Sequence, residues 1–123
     1  MNRNYKNLLP QVLKALYPDA HERNRVKALL SSYGKQSYHQ EPERVHLGIL
    51  KLASKEPEKL DVYIQLACSD FRDLLCAAEY FLTSPQYKLS KKSPEKYAKL
   101  EEKERAEYDQ WLSKTLSGYD HSI

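Results

Sequence analysis

The chain has 123 residues, of which 41% are hydrophobic and 30% are charged. This length is that of one compact domain with its own core, and the composition excludes a disordered or collagen-like chain. No run of about 18 apolar residues occurs, which excludes a membrane-spanning helix. The net charge of +3 is too small to indicate a partner by itself.

The charges are distributed unevenly along the chain. Residues 1–40 hold seven basic and two acidic residues, and residues 83–99 hold five and one. Residues 56–82 hold two basic and six acidic residues, and residues 100–123 hold three and six. An ordinary solvated surface is the simplest interpretation, but such a dipolar pattern also suits protein docking, self-association or binding to nucleic acid.

A period of 3.6 residues dominates the chain, so we predict an all-α fold. The first helix is expected to begin near Asn7, with Pro10 in its first turn, and to end at Tyr17 before a proline. Asp19 is expected to cap a second helix, and Gly34 to end it.

The third helix is predicted to begin at Pro42 and to lie at the centre of the fold, because apolar residues cover more than half of its circumference. A further apolar face follows Pro57 and stays in phase as far as Leu82. We predict two helices in this segment, broken at Ser69 and Asp70, because both residues are good helix caps. One long helix would keep the same phase and stays an alternative.

Residues 83–92 are polar and rich in lysine, and we predict a linker there. A Ser-Pro pair then begins the last helix, over about residues 93–117, with Gly118 as its stop. The apolar face of this helix ends in what we call the C-terminal cluster, formed by Tyr108, Trp111 and Leu112. Because Tyr and Trp are preferred anchors at interfaces, this cluster is a candidate interaction surface, within the chain or between chains.

Two segments, residues 44–52 and residues 70–80, resemble segments of short, uncharacterised all-helical bacterial proteins. The resemblance spans about residues 8–82 and does not include the last helix. It implies a helical fold and favours a bacterial, cytoplasmic protein, and it implies no activity, cofactor or site.

The N-terminus and the cysteines also favour a cytoplasmic protein. The first fifteen residues interleave apolar side chains with Asn, Lys, Gln and Pro, which is unlike a secretory signal. Cys68 and Cys76 would be too far apart on one helix to form a disulfide, and we expect both to be small buried thiols. Nothing therefore requires an oxidising compartment.

We find no residue pattern typical of catalysis or of metal binding. A metal site in a helical bundle needs Glu-x-x-His twice, and Glu43 with His46 provides it once. His46 lies in the apolar arc of the third helix, where we expect a hydrogen-bonded structural role. We therefore predict that the protein is not an enzyme and that it has no metal and no cofactor.

Nucleic-acid binding is the alternative function. The basic side chains that would contact phosphates lie in the second helix and in the linker: Arg23, Arg25, Lys27, Lys88, Lys91 and Lys92. In the second helix they flank both sides of the apolar stripe, whereas a recognition helix gathers them on one exposed face.

We therefore expect one compact domain over residues 1–123, with five or six helices in an orthogonal or bundle-like arrangement. Its expected function is that of a small interaction or regulatory protein that binds a protein partner or a second copy of itself. Nucleic acid stays possible as a partner, and a membrane is not expected.

Overall fold

The structure, a computed structural model, describes the backbone of residues 4–80 and 89–121 and the side chains of residues 4–80 and 91–117. Within these ranges all regular secondary structure is helical, which confirms the predicted fold class. The helices are α1 (Tyr5–Leu16), α2 (Ala20–Leu30), α3 (Pro42–Lys55), α4 (Leu60–Ser69), α5 (Phe71–Glu79), the four-residue α6 (Leu89–Lys92) and α7 (Pro94–His121). None of these described helices is long and apolar enough to cross a membrane.

The N-terminal helices follow their predicted caps. Helix α1 begins at Tyr5, slightly before the predicted start. The side chain of Asp19 accepts a hydrogen bond from the backbone N–H of Glu22 at 2.9 Å and caps α2 as predicted. However, α2 ends at Leu30, so the prediction that Gly34 ends it is wrong. Gly34 instead lies in the following loop with a φ of 114°, which glycine adopts without strain.

Helix α3 lies at the centre of the fold, as predicted, and packs against α1, α4 and α5. Its buried hydrophobic side chains are Val45, Leu47, Ile49, Leu50 and Ala53. Because these residues occupy several sides of the helix, α3 contacts the other helices over most of its surface. Helix α3 is therefore the central helix of the fold.

Helices α4 and α5 are separate, which confirms the preferred prediction. The break is at Asp70, whose φ of −157° and ψ of 101° are those of extended backbone. Its carboxylate accepts a hydrogen bond from the backbone N–H of Arg72 at 3.0 Å, so Asp70 ends α4 and caps α5.

The C-terminal part differs from the prediction in two respects. Leu89–Lys92 forms α6 rather than a polar linker, while residues 81–88 lie outside the described residues. Helix α7 continues through Gly118 to His121, so the predicted stop at Gly118 is wrong. A glycine inside a helix costs only about 1 kcal/mol relative to alanine, which is too little to force an end. Helix α7 packs along α1 and also contacts α5.

Helices α3 and α5 approach each other closely at Gly48. A methyl group added at Gly48 would lie 3.2 Å from Cβ of Ala78 and 3.0 Å from Cδ1 of Leu74. The Leu74 side chain can rotate away, but Cβ of Ala78 is fixed to the α5 backbone. The absence of a side chain at Gly48 therefore sets the distance between the two helices.

We expect Gly48→Ala to destabilise the fold by about 1–2 kcal/mol, because α5 has to move outward. Chemical denaturation of the purified variant measures this loss. The double variant Gly48→Ala, Ala78→Gly moves the methyl group from one helix to the other and should recover part of it. A single variant more stable than the parent, as helix propensity alone would give, would show that the contact is not tight.

Candidate binding cleft

The C-terminal cluster packs within its own chain. Tyr108 is 2% exposed and Leu112 is 7% exposed, and both belong to the hydrophobic core. The rings of Tyr108 and Trp111 meet edge to face, with centroids 5.7 Å apart. The indole N–H of Trp111 donates a hydrogen bond to the hydroxyl of Ser54 in α3 at 3.1 Å. Of the two arrangements left open by the sequence, the structure has the one within the chain, and little of this cluster is available to a partner.

A buried lysine of α3 lies beside two glutamates of α7, Glu104 and Glu107. The Lys51 Nζ lies 3.7 Å from a carboxylate oxygen of Glu107 and 5.7 Å from the ring centroid of Tyr108. Burial lowers the pKa of Lys51, while the charges of Glu107 and Glu104 oppose this shift. Glu104 and Glu107 therefore compensate a buried cation of α3 rather than forming a separate site.

The six basic residues of the nucleic-acid alternative have different environments. Arg23 donates hydrogen bonds from Nη1 to the carbonyl oxygens of Tyr17 and Pro18, at 2.9 and 3.0 Å, and thereby binds the end of α1. The other described residues of this set are exposed: Arg25, Lys27, Lys91 and Lys92. Lys88 lies outside the described residues. Arg23 is therefore occupied by a structural contact.

His46 has the hydrogen-bonded role that we expected. Its Nε2 lies 2.8 Å from the carbonyl oxygen of Tyr33. Burial lowers the pKa of His46, since the interior disfavours its charged form, and the hydrogen bond to Tyr33 opposes this effect. Among the described residues, no three His, Cys, Asp or Glu side chains are grouped so that they could hold a metal ion.

We expect the protein to lose stability in acid through His46. Because its pKa is lower in the folded chain than the ordinary value of 6.5, the unfolded chain binds the proton more readily between these two values. Stability should therefore decrease as the pH falls through about 6.5 and level off below the lowered pKa. Thermal unfolding at about pH 8 and pH 5 should show a smaller pH dependence for His46→Gln than for the parent. An equal dependence in both proteins would contradict this origin.

The environment of the cysteines differs from the prediction. Cys76 is half-buried, whereas Cys68 is exposed. Cys68 lies near the end of α4, close to the loop that joins α2 to α3. The Cys68 Sγ is 3.8 Å from the carbonyl oxygen of Ser32. The prediction that both cysteines are buried is therefore wrong for Cys68 and only partly right for Cys76.

An open cleft of about 480 Å³ lies between the α2–α3 loop, residues 31–41, and the junction of α4 with α5. We call it the Tyr38 cleft. The residues of the loop that line it are Tyr33, Tyr38, His39 and Gln40, and those of the helices are Ala67, Cys68, Ser69, Asp70, Phe71 and Arg72. Aromatic, polar and charged side chains from two distant parts of the chain thus meet at one surface.

The loop wall of the cleft is held by Tyr33 and His39. The Tyr33 ring is buried, and its hydroxyl donates to the carbonyl oxygen of Gln40 at 2.6 Å and accepts from the N–H of Gln40 at 3.1 Å. The His39 ring stacks on Tyr33 with centroids 4.4 Å apart. Its Nδ1 accepts hydrogen bonds from the backbone N–H groups of Gly34 at 2.7 Å and Gln36 at 3.3 Å. The loop is therefore an ordered surface although it has no regular secondary structure.

The charges in the cleft compensate each other. The Arg72 guanidinium contacts the Asp70 carboxylate, with Nε to Oδ1 at 3.2 Å and Nη2 to Oδ2 at 3.4 Å. This pairing lowers the pKa of Asp70 and keeps it ionised. Tyr38, by contrast, is 72% exposed, and its ring contacts His39 edge to face with centroids 4.8 Å apart. The cleft thus offers exposed aromatic surface with little net charge.

No local pattern in the sequence predicts this cleft. Residues 35–40 have the composition of an ordinary polar loop, and the apolar period of α4 and α5 indicates only their buried face. The one available signal was the adjacent Tyr38 and His39, which are two aromatic rings in a segment otherwise made of small and polar residues.

No protein family, curated protein or solved structure matches this chain. Its own geometry is therefore the basis for the functional proposals that follow.

Proposed function

We propose that this is a small, non-enzymatic interaction or regulatory protein that binds a short segment of a partner protein in the Tyr38 cleft. The observation that carries this proposal is the exposure of Tyr38 at the rim of a cleft that also contains Phe71 and Arg72. Tyr, Phe and Arg are enriched at protein interfaces, and Tyr and Arg also among the residues that dominate binding energy. A bacterial, cytoplasmic setting is part of the proposal, supported by the sequence alone.

The size and charge of the cleft favour a particular occupant. Its volume of about 480 Å³ lies in the range of ligand-binding clefts, which leaves room for a side chain of a partner. Because Arg72 already pairs with Asp70, the cleft offers no unpaired cation that would select a phosphate. We therefore propose an uncharged segment that places an aromatic or aliphatic side chain against Tyr38 and Phe71.

The hydrogen bonds of His39 support the non-enzymatic part of the proposal. Cys68 and His39 both line the cleft, which would be the minimum for a thiol nucleophile and its base. However, the Nδ1 of His39 is occupied by two backbone N–H donors. A neutral imidazole has one acceptor nitrogen, so no lone pair is left to remove the proton of the Cys68 thiol.

Nucleic-acid association is the second candidate function. It is favoured by the exposure of Arg25 and Lys27 on α2 and of Lys91 and Lys92 on α6. Contacts between such residues and phosphates weaken steeply as the salt concentration rises, whereas burial of apolar surface does not.

The test is capture from a lysate of the source organism by the immobilised full chain, with and without nuclease treatment. Tyr38→Ala is the cleft variant, and Val62→Ala is the matched control because Val62 is an exposed apolar residue of α4 that does not line the cleft. We expect the parent and the Val62 variant to capture the same protein, and this capture should persist after nuclease treatment and at high salt. The Tyr38 variant should no longer capture that protein.

Two results would contradict the cleft proposal. Capture that disappears after nuclease treatment or at high salt would favour the nucleic-acid candidate. Equal capture by the Tyr38 variant and the parent would place the interaction on a different surface. Light scattering of the purified chain reports separately whether the chain associates with a second copy of itself.

A further inference from the structure

We infer that His39 is a protonation-dependent latch of the Tyr38 cleft, whose neutral ring holds residues 34–39 in the conformation that lines the cleft and whose protonated ring releases that conformation. The consequence for binding rests on the proposed function. The opening of the loop does not, because it is a property of this chain alone.

The two hydrogen bonds at Nδ1 of His39 require a ring that carries no proton on this nitrogen. Its Nδ1 accepts from the N–H groups of Gly34 and Gln36, so the proton of the neutral ring is on Nε2. An imidazolium carries a proton on both nitrogens. Protonation of Nδ1 by solvent would place an N–H group against two other N–H groups, and both hydrogen bonds would be lost.

The second histidine beside Tyr33 behaves differently. His46 contacts the carbonyl oxygen of Tyr33 through Nε2, which acts as the donor. This nitrogen keeps its proton in the imidazolium, so the hydrogen bond survives protonation. Protonation of His46 therefore affects stability, as described above, but does not break a restraint on the loop.

Two ionisable groups beside His39, Tyr33 and Asp70, keep their state between pH 5 and 8. Burial raises the pKa of Tyr33, so its hydroxyl continues to hold Gln40. Asp70 stays ionised and paired with Arg72. The His39 ring contacts Tyr33 and Tyr38, and His46 of α3 lies on the Tyr33 ring edge to face. The titratable or charged side chains of the α4–α5 junction that line the same cleft are Cys68, Asp70 and Arg72.

The loop is built so that it can open while it stays attached. Gln40 is fixed at one end by the hydroxyl of Tyr33. Gly34 at the other end has a φ of 114°, a backbone conformation that glycine adopts without strain. Release of the intervening residues would remove Tyr38 and His39 from the cleft. Acid should therefore weaken binding in the cleft without unfolding the helices around it.

The test is nuclear magnetic relaxation of the backbone amides, with the His39 ring nitrogens observed in the same samples. At about pH 8 we expect order parameters near 0.85 for residues 34–39, as in rigid backbone. At about pH 5 we expect values below about 0.6 wherever the ring nitrogens show an imidazolium. A loop that stays rigid while the ring is protonated would overturn the latch, as would a ring that stays neutral at this pH.

Three variants complete the test. His39→Asn offers an acceptor oxygen that cannot be protonated and should keep the loop rigid at both pH values. His39→Ala removes the acceptor and should leave the loop flexible at both, so a rigid loop in this variant would also overturn the latch. His21→Asn is the matched control, since His21 is an exposed histidine of α2. In this variant, residues 34–39 should respond to pH as they do in the parent.

Capture of the partner at both pH values separates the latch from the proposed function. Capture at pH 8 that is reduced about tenfold at pH 5 supports the latch as a regulator of binding. Equal capture at both pH values, with a loop that opens, would overturn this regulatory role. A loop that opens in a chain that captures no partner at either pH would confirm the latch and count against the proposed function.

Discussion

Replacement of both Trp111 and Leu112 by alanine is expected to lower the free energy of unfolding by roughly 4–7 kcal/mol without changing the molecular mass. Removal of a buried leucine costs about 2–5 kcal/mol, and removal of a buried tryptophan about 3–5 kcal/mol. Trp111 is only half-buried and touches the same core, so the sum should fall short of full additivity. A loss of this size is a large part of the stability of a typical domain.

Thermal unfolding and light scattering of the double variant measure this effect. Val62→Ala on the exposed side of α4 is the control and should behave as the parent. If the variant kept its melting temperature but changed from an oligomer to a monomer, the C-terminal cluster would be an interface between chains and its packing within the chain would be wrong.

The second large effect is expected for the ion pair between α3 and α5. The Arg44 guanidinium binds the Glu79 carboxylate through Nη2 at 2.7 Å and through Nε at 3.0 Å, and the Glu79 side chain is 6% exposed. Arg44→Met would leave the carboxylate buried without its charged partner. Removal of one partner of a buried pair costs about 3–5 kcal/mol, and we expect a value near 3 because the Arg44 side chain is 20% exposed.

Denaturation of four proteins measures this interaction: the parent, Arg44→Met, Glu79→Leu and the double variant. Because replacement of both charges by apolar groups removes the uncompensated charge, the double variant should be more stable than Arg44→Met alone. If the effects of the two single variants simply added, the pair would not contribute a specific interaction.

The sequence predicted those parts of the fold that depend on local signals. Asp19 and Asp70 are recognisable caps, and the broad apolar arc of the third helix indicated its central position. The end of the last helix was predicted too early, because the cost of Gly118 inside a helix is small compared with the packing of α7 on α1.

The features that were missed depend on contacts between distant residues. Glu79 pairs with Arg44, which lies 35 residues earlier in the chain. The Tyr38 cleft likewise forms only where the α2–α3 loop meets the start of α5. Hydrophobic periodicity predicts helices but does not predict where a loop lies. A single sequence contains the residue types of such a site, but not the distance between them.

The most direct test of the interaction proposal is site-specific photo-crosslinking at the cleft. A photoreactive phenylalanine analogue replaces Tyr38 in the full chain, and a second protein carries it at Val62 as the control for an exposed position outside the cleft. After irradiation in the nuclease-treated lysate, we expect a distinct protein adduct from position 38 and none from position 62. No adduct from position 38, or the same adducts from both positions, would contradict the assignment of this cleft as the binding surface.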